Sequence, residues 1–526
     1  MNDEWWMRFS LQLVGIGLSA CLCVSACAQA AGPRVNHDAA AHAEQGLEFA
    51  RVGDLNRAET ELRKAVALAP SDPAILAALG TVLAQKQNLS ESTELFKRAL
   101  RITPDNLTVR RYLAANLWQL HLYSEAKDHL QIILQRKPDD KPAQLLLGMV
   151  SENMGDYSAA ARMLAAVPEE TRQQPESIAA LARSYYHLRQ TEKARVTLAQ
   201  LATHPAGPQA VLLGARIADE MQDYPTAEKL LASIPAGFPD QARLQYSVAL
   251  VEYHAGKFDQ SRSILETLIA SGNKNAAIFN LLGWCYQKLG HPKEALQSIG
   301  ESIALAPAEE ANYLDLTRIL LAQRALPAAL RTANRTTGNF PTSATAFALR
   351  GQVEIGMGQF TDAIRSYTQA TQLDSSRPDG ILGLAEAQFA AGMTTEAVAN
   401  FETGIKRFPR DPRFKVQYAA VLLKQSETGD PADETKAEQL LRSALALDPS
   451  LPDAHYQLGN LALKKDRMLE AQQHLEQAVK LDPQNAAAHF ALARAYRRLG
   501  RGPQAVNEMK LFESATHAEP QEPPHP

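Results

Sequence analysis

Residues 281–299, LLGWCYQKLGHPKEALQSI, place Leu282, Cys285, Tyr286 and Leu289 at spacings of three and four, which line one face of a helix. A turn signal, KLGHPKEA, follows, and in the second helical stretch Ala295, Ile299 and Ser302 continue the stripe. The segment therefore predicts a hairpin of two helices, A and B. With Ala295 as a marker, small residues return at Ala58, Ser92, Ala126, Ala160, Ala194, Ala227, Ser261, Ala329, Ala363, Ala397, Ala437, Ala471 and Ala505. The steps are 34 residues long except for one of 33 and one of 40.

A second small position precedes each marker by twelve residues, as at Gly46, Gly80, Ala114, Gly148, Ala182, Gly283, Gly351 and Gly459, with Thr317 as the odd member. At Ala419 the gap is eighteen, because six residues are inserted near 426–434. Small side chains at both positions let two helices approach to the short end of the usual interaxial range of about 8–10 Å. Prolines such as Pro70, Pro104, Pro307, Pro341 and Pro483 then stop each B helix, because proline cannot continue the hydrogen-bond ladder. A lone hairpin cannot bury both its faces, so the units stack into an all-α solenoid of antiparallel helix hairpins.

Leu282-Gly283-Trp284-Cys285-Tyr286, followed by Ala295 and a closing proline, resembles the tetratricopeptide repeat, and the resemblance covers residues 39–512 in fourteen copies. It implies a right-handed superhelical α-solenoid with the A helices on the concave side. It also implies a groove of the kind in which relatives often hold peptides, some by clamping a terminal carboxylate with Lys, Arg and Asn. The family's first-helix tryptophan is missing from its usual place. Thr317 stands where Gly or Ala is usual, and the unit around Met154–Glu170 lacks a proline at Arg172. Irregular packing is therefore expected near 165–208 and 310–341.

The composition agrees with a folded helical body. Of 526 residues, 45% are apolar and 21% charged, while aromatic residues reach only 6%, which leaves much of the packing to small side chains. A net charge of −4 provides no basic face for nucleic acid. Three of the four cysteines, Cys21, Cys23 and Cys27, lie near the N-terminus and Cys285 stands alone in the body, which excludes an internal disulfide framework.

From Phe9 to Gly32 there is no charge, and the core LQLVGIGLSACLCV marks residues 1–30 as an export signal followed by a linker at 31–38. Three fates fit it. Ala28-Gln29-Ala30 suits cleavage, Val24-Ser25-Ala26-Cys27 is similar to a bacterial lipobox with Cys27 as the lipidation site, and the apolar run is long enough to stay as an anchor. Met7 offers an alternative start. The expected location is the periplasm or outer membrane of a Gram-negative bacterium. The tail at 513–526, ESATHAEPQEPPHP, lacks apolar residues for a core and reads as disordered.

On the A helices, the positions not consumed by packing follow i, i+3, i+7 and i+10 to i+11. In the middle repeats they are Arg183, Tyr186, His187, Arg216, Asp219, Arg243, Tyr246, Tyr253, His254, Asn280, Trp284, Lys288 and Arg318. Arginine holds carboxylates bidentately and aromatic rings offer rigid contact area, so these are the candidate residues of a groove for a protein or extended peptide. Asn280, Lys288 and Arg318 match the carboxylate clamp in part. No H-E-x-x-H, C-x-x-C pair, phosphate loop or nucleophile elbow occurs in the body, and the repeats use nearly all its length. The expectation is a non-catalytic scaffold with no cofactor and no metal; the alternative is a structural lipoprotein of an envelope assembly, of the polysaccharide-export or pilus type.

Overall fold

A computed structural model describes residues 37–426 and 431–517. The expected export signal at 1–30 with Cys27, most of the expected linker, residues 427–430 of the insertion and residues 518–526 of the tail lie outside the described residues. The described chain forms fourteen A/B hairpins and one extra short helix, with no strand among them. It divides into two compact units, residues 1–273 and 274–526, so that each holds seven hairpins.

Both small positions are buried in every hairpin. The markers from Ala58 to Ala471 have no exposed surface, and Ala505 in the last hairpin retains only 4%. The reason is steric. A methyl group added to Gly283 would lie 2.6 Å from Cγ1 of Ile299, and one added to Gly46 would lie 2.7 Å from Cγ of Leu62. The A-helix small residue thus receives the B-helix side chain four after the marker, sixteen positions later except in the hairpin with the insertion, where Leu441 follows Ala419 by twenty-two.

The turn between the helices is equally periodic. Five residues before the marker the chain takes a left-handed conformation in thirteen hairpins, for example at Gly53 (φ 83°), Gly290 (φ 77°) and Gly500 (φ 72°). A residue there lets the last turn of helix A close on itself, and glycine adopts it without a Cβ penalty. At Gln87, His121, Arg189, Gln222, Arg324 and Asp466 the same conformation is held by residues with a side chain. Asp, Asn and Ser side chains start many helices: Asp72, Asn106, Asp140, Asn275, Ser343 and Asn485 each accept a hydrogen bond from a first-turn backbone N–H.

The expected irregularity near 165–208 is present and extends further. The fourth B helix, Tyr157–Ala166, stops early because Pro168 lacks an N–H, and a five-residue helix, Pro168–Arg172, follows. Thr171 caps the break by donating to the Leu164 carbonyl at 2.8 Å. The fifth B helix, Thr191–Ala199, runs into a 3₁₀ turn at Gln200–Thr203, and the sixth, Tyr224–Ala232, is short, with Ile234 and Phe238 buried in the core beyond it.

The expectation for 310–341 needs correction, since Glu310–Ala322 and Leu326–Asn339 form a regular hairpin. Thr317 fits because its hydroxyl donates to the Tyr313 carbonyl at 2.9 Å, and because the position sixteen residues later is Ala333, where other hairpins carry Leu, Ile, Phe, Tyr or Met. The outer boundaries also shift. The first helix begins at His37, and the last, Gly502–His517, continues past residue 512 while the Phe512 ring packs against Phe490 at 5.4 Å. The inserted segment ends in a long B helix, Pro431–Leu447.

Candidate functional site

In the first unit the A helices Leu107–Gln119, Lys141–Asn153, Pro175–His187, Pro208–Glu220 and Gln241–His254 present one polar face. Asn153, Glu220 and His254 end their helices at equivalent positions, with Glu152 and Asp219 one residue earlier. Side chains on this face are linked from helix to helix. Trp118 Nε1 donates to Asn153 Oδ1 at 2.7 Å, and Asn153 Nδ2 donates to Glu152 Oε2 at 2.8 Å. Arg183 Nη1 then donates to Glu152 Oε1 at 2.5 Å, and its Nη2 lies 3.9 Å from Glu220. Arg216 reaches the same Glu220 at 3.7 Å. Asp219 accepts from His254 Nδ1 at 2.9 Å.

Positions on the middle A helices therefore fall into two groups. Arg183, Tyr186, His187, Tyr253 and His254 are tied into the stack: Tyr186 donates to Asp223 at 2.9 Å, and His187 stacks on Tyr157 with centroids 3.8 Å apart. Tyr253 meets Phe258 and His254 edge to face. Asp223 is buried, and although burial opposes its charge, bonds from Arg195 and Tyr186 hold its carboxyl below the usual range. The second group faces outward. Arg216 and Arg243 are exposed, Arg243 donating at 3.1 Å to Gln209, and Tyr246, three residues after Arg243, is half-buried. Burial pushes the Tyr246 hydroxyl above its ordinary value.

The other four sequence candidates belong to the second unit. Asn280 donates to Asn312 at 3.1 Å and to Asp315 at 3.0 Å, and Arg318 donates to the same Asp315 at 2.9 Å. Trp284 packs on the cluster of Ala295, Ile299 and Ile319, while Lys288 is exposed. The clamp trio thus has two of its members engaged with Asp315.

Glu152, Asn153 and Trp118 are additional members that the sequence reading passed over. A signal existed for two of them, since Glu152 and Asn153 stand 34 residues before Tyr186 and His187. The carboxylates also determine what the face can do. Glu152, Asp219 and Glu220 neutralise Arg183, His254 and part of Arg216, so the cationic character left for a ligand rests on Arg216 and Arg243. Among the described residues, no three His, Cys, Asp or Glu side chains gather as metal ligands would, and no helix is long and apolar enough to cross a membrane.

His254 carries a measurable consequence. Its hydrogen bond to Asp219 raises the imidazole above its ordinary value, against opposing desolvation. A raised value in the folded state means that the stabilisation is complete below the unfolded value, about 6.5, and is lost as pH rises through the folded one. Asp219→Asn is expected to bring the NMR titration midpoint of His254 down, with the other histidines unmoved.

Sequence-family comparison finds the same kind of repeat along the chain. Models of the tetratricopeptide repeat match residues 84–150, 117–184, 354–426 and 462–523, residues 43–106 and 212–276 and residues 276–309. The BBSome complex member BBS4 of Bos taurus is 26% identical over 115 residues, which span 22% of this chain and 22% of that protein. Among solved structures, yeast Tom70 is similar with a TM-score of 0.44 at 16% identity, covering 92% of each chain. The hetero-tetramer Cut9–Hcn1 of the APC/C gives 0.38 at 16% identity, covering 90% of this chain and 93% of that one. Fourteen hairpins in one register, matched along the chain by models of a single repeat, identify it as a member of the tetratricopeptide repeat family.

Proposed function

We propose that the protein is an exported, non-catalytic scaffold that holds a protein or extended peptide against the A-helix face of its first unit. The observation that carries this reading is the linked row of side chains from Trp118 to His254, which holds the face rigid and leaves Arg216 and Arg243 exposed. Pre-organised arginines bind carboxylates and backbone carbonyls with little further loss of side-chain freedom, and the half-buried Tyr246 adds contact area. Export rests on the uncharged run from Phe9 to Gly32.

Crosslinking in the native host followed by mass spectrometry, comparing wild type with the Arg216→Glu, Arg243→Glu double variant, tests the proposal. Both side chains are exposed, so the variant keeps its fold. Loss of one partner in the variant supports the groove; unchanged capture of the same partner overturns it.

A second reading is favoured by the lipobox-like Val24-Ser25-Ala26-Cys27, namely a lipoprotein that tethers an envelope assembly. Metabolic labelling with a fatty acid that disappears in Cys27→Ala would support it, and an unlabelled wild-type protein would rule it out.

A further inference from the structure

The A-helix residue four before the small position faces the B-helix residue three after the marker, and four hairpins place histidine in this pair. The pairs are His42 with Glu61, Arg110 with His129, His455 with His474, and His489 with Glu508. Only one of the four joins two imidazoles. In the thirteenth hairpin, His455 of Pro452–Lys464 and His474 of Met468–Leu481 bring their Nδ1 atoms to 3.0 Å, with ring centroids 5.2 Å apart.

The orientation of His455 comes from the fold. Its Nε2 lies 3.1 Å from the carbonyl oxygen of Pro449, the proline that closes the preceding B helix. A carbonyl only accepts, so Nε2 carries the hydrogen and the Nδ1 lone pair is turned toward His474. The same anchor recurs where His489 meets the Pro483 carbonyl at 3.0 Å and where Arg110 meets that of Pro104. It is therefore a built feature of the repeat.

We infer that His455 and His474 form a two-histidine site for a borderline divalent cation of the zinc, nickel or copper class, binding through both Nδ1 atoms and joining helices A and B of this hairpin. Two nitrogens each about 2.0–2.1 Å from one ion, at angles near 90–109°, stand about 2.9–3.4 Å apart, which includes the observed separation. Imidazole suits this class of metal, and a ligating histidine characteristically donates its other N–H to a carbonyl or carboxylate, as His455 does to Pro449. Without metal, one proton bridges the pair, His474 Nδ1–H donating to His455. Metal entry requires that His474 carry its hydrogen on Nε2 and that the two rings, which face each other nearly head-on, turn so that both Nδ1 lone pairs meet at one point; a neutral pair releases no proton. Glu470, one turn before His474, is held by Arg442 and Arg467, and the remaining coordination positions go to water.

The test is calorimetric titration of Zn²⁺ into the untagged, purified chain, with NMR of the histidine ring protons. Wild type is expected to show a site at one ion per chain whose binding shifts the His455 and His474 resonances together. His455→Ala and the shape-preserving His474→Gln each weaken this site at least tenfold, while His489→Ala leaves it intact. Equal zinc affinity in wild type, His455→Ala and His474→Gln overturns the assignment, as does zinc binding in the wild type that leaves both rings unshifted.

Discussion

Gly383→Ala is expected to destabilise its hairpin by about 2–3 kcal/mol, because the added methyl group has no space to occupy. Gly383, on the A helix Pro378–Ala390, lies directly against the Tyr367 ring, and a Cβ built there overlaps that ring. Tyr367 cannot retreat, since its opposite edge rests on Gly351, where a Cβ would stand 2.7 Å from Cε2. One tyrosine thus fills space released by two glycines in neighbouring hairpins. In a Tyr367→Leu background, which restores the leucine seen at the equivalent Leu62, Leu130 and Leu475, the same Gly383→Ala change should cost little. Stability in a repeat array is partly local, so amide hydrogen exchange across residues 360–390 is the appropriate readout. Equal losses of protection in both backgrounds would show that the ring is not the obstacle.

The second large effect lies on the A-helix face. Glu152→Ala leaves the partly buried Arg183 guanidinium without its closest acceptor and unties Asn153, which holds the Trp118 indole. Hydrogen bonds to charged groups contribute about 1.5–3 kcal/mol, and Arg183 is 27% exposed, so a loss of about 2 kcal/mol is expected. Removing both charges as Glu152→Leu with Arg183→Leu should recover most of it, since replacing a buried pair by apolar groups is often neutral. Exchange in the helices Lys141–Asn153 and Pro175–His187, compared among the three variants, checks this. A double variant as unstable as Glu152→Ala would contradict the pairing.

The periodic features were legible in the sequence because each is a local steric demand repeated in register. Ala295 and its equivalents must be small wherever a B helix rests on an A helix, and the closing prolines act through their own missing N–H. What escaped were exchanges of volume between distant positions. Thr317 suggested irregular packing in its hairpin, yet Ala333, sixteen residues later, compensates for it. The aromatic rings of Tyr367 and Phe414 likewise depend on Gly383 and Gly404, and no periodic pattern couples them.

The site was legible to the same extent. Register placed Arg183, Arg216, Arg243 and His254 on the A helices, and the structure has them there. Their partners were less visible, because an ion pair between A helices requires that two side chains reach across neighbouring repeats. Arg183 thereby belongs to the framework through Glu152, and Arg318 is drawn to Asp315, whereas Arg216 and Arg243 remain available to a ligand.

The central claim, that the A-helix face of the first unit receives the partner, is tested most directly by hydrogen–deuterium exchange of the purified protein with and without the partner captured in the host. The account predicts added protection in peptides from Pro175–His187, Pro208–Glu220 and Gln241–His254. Protection confined to the B helices, such as Thr191–Ala199 and Phe258–Ala270, would contradict it.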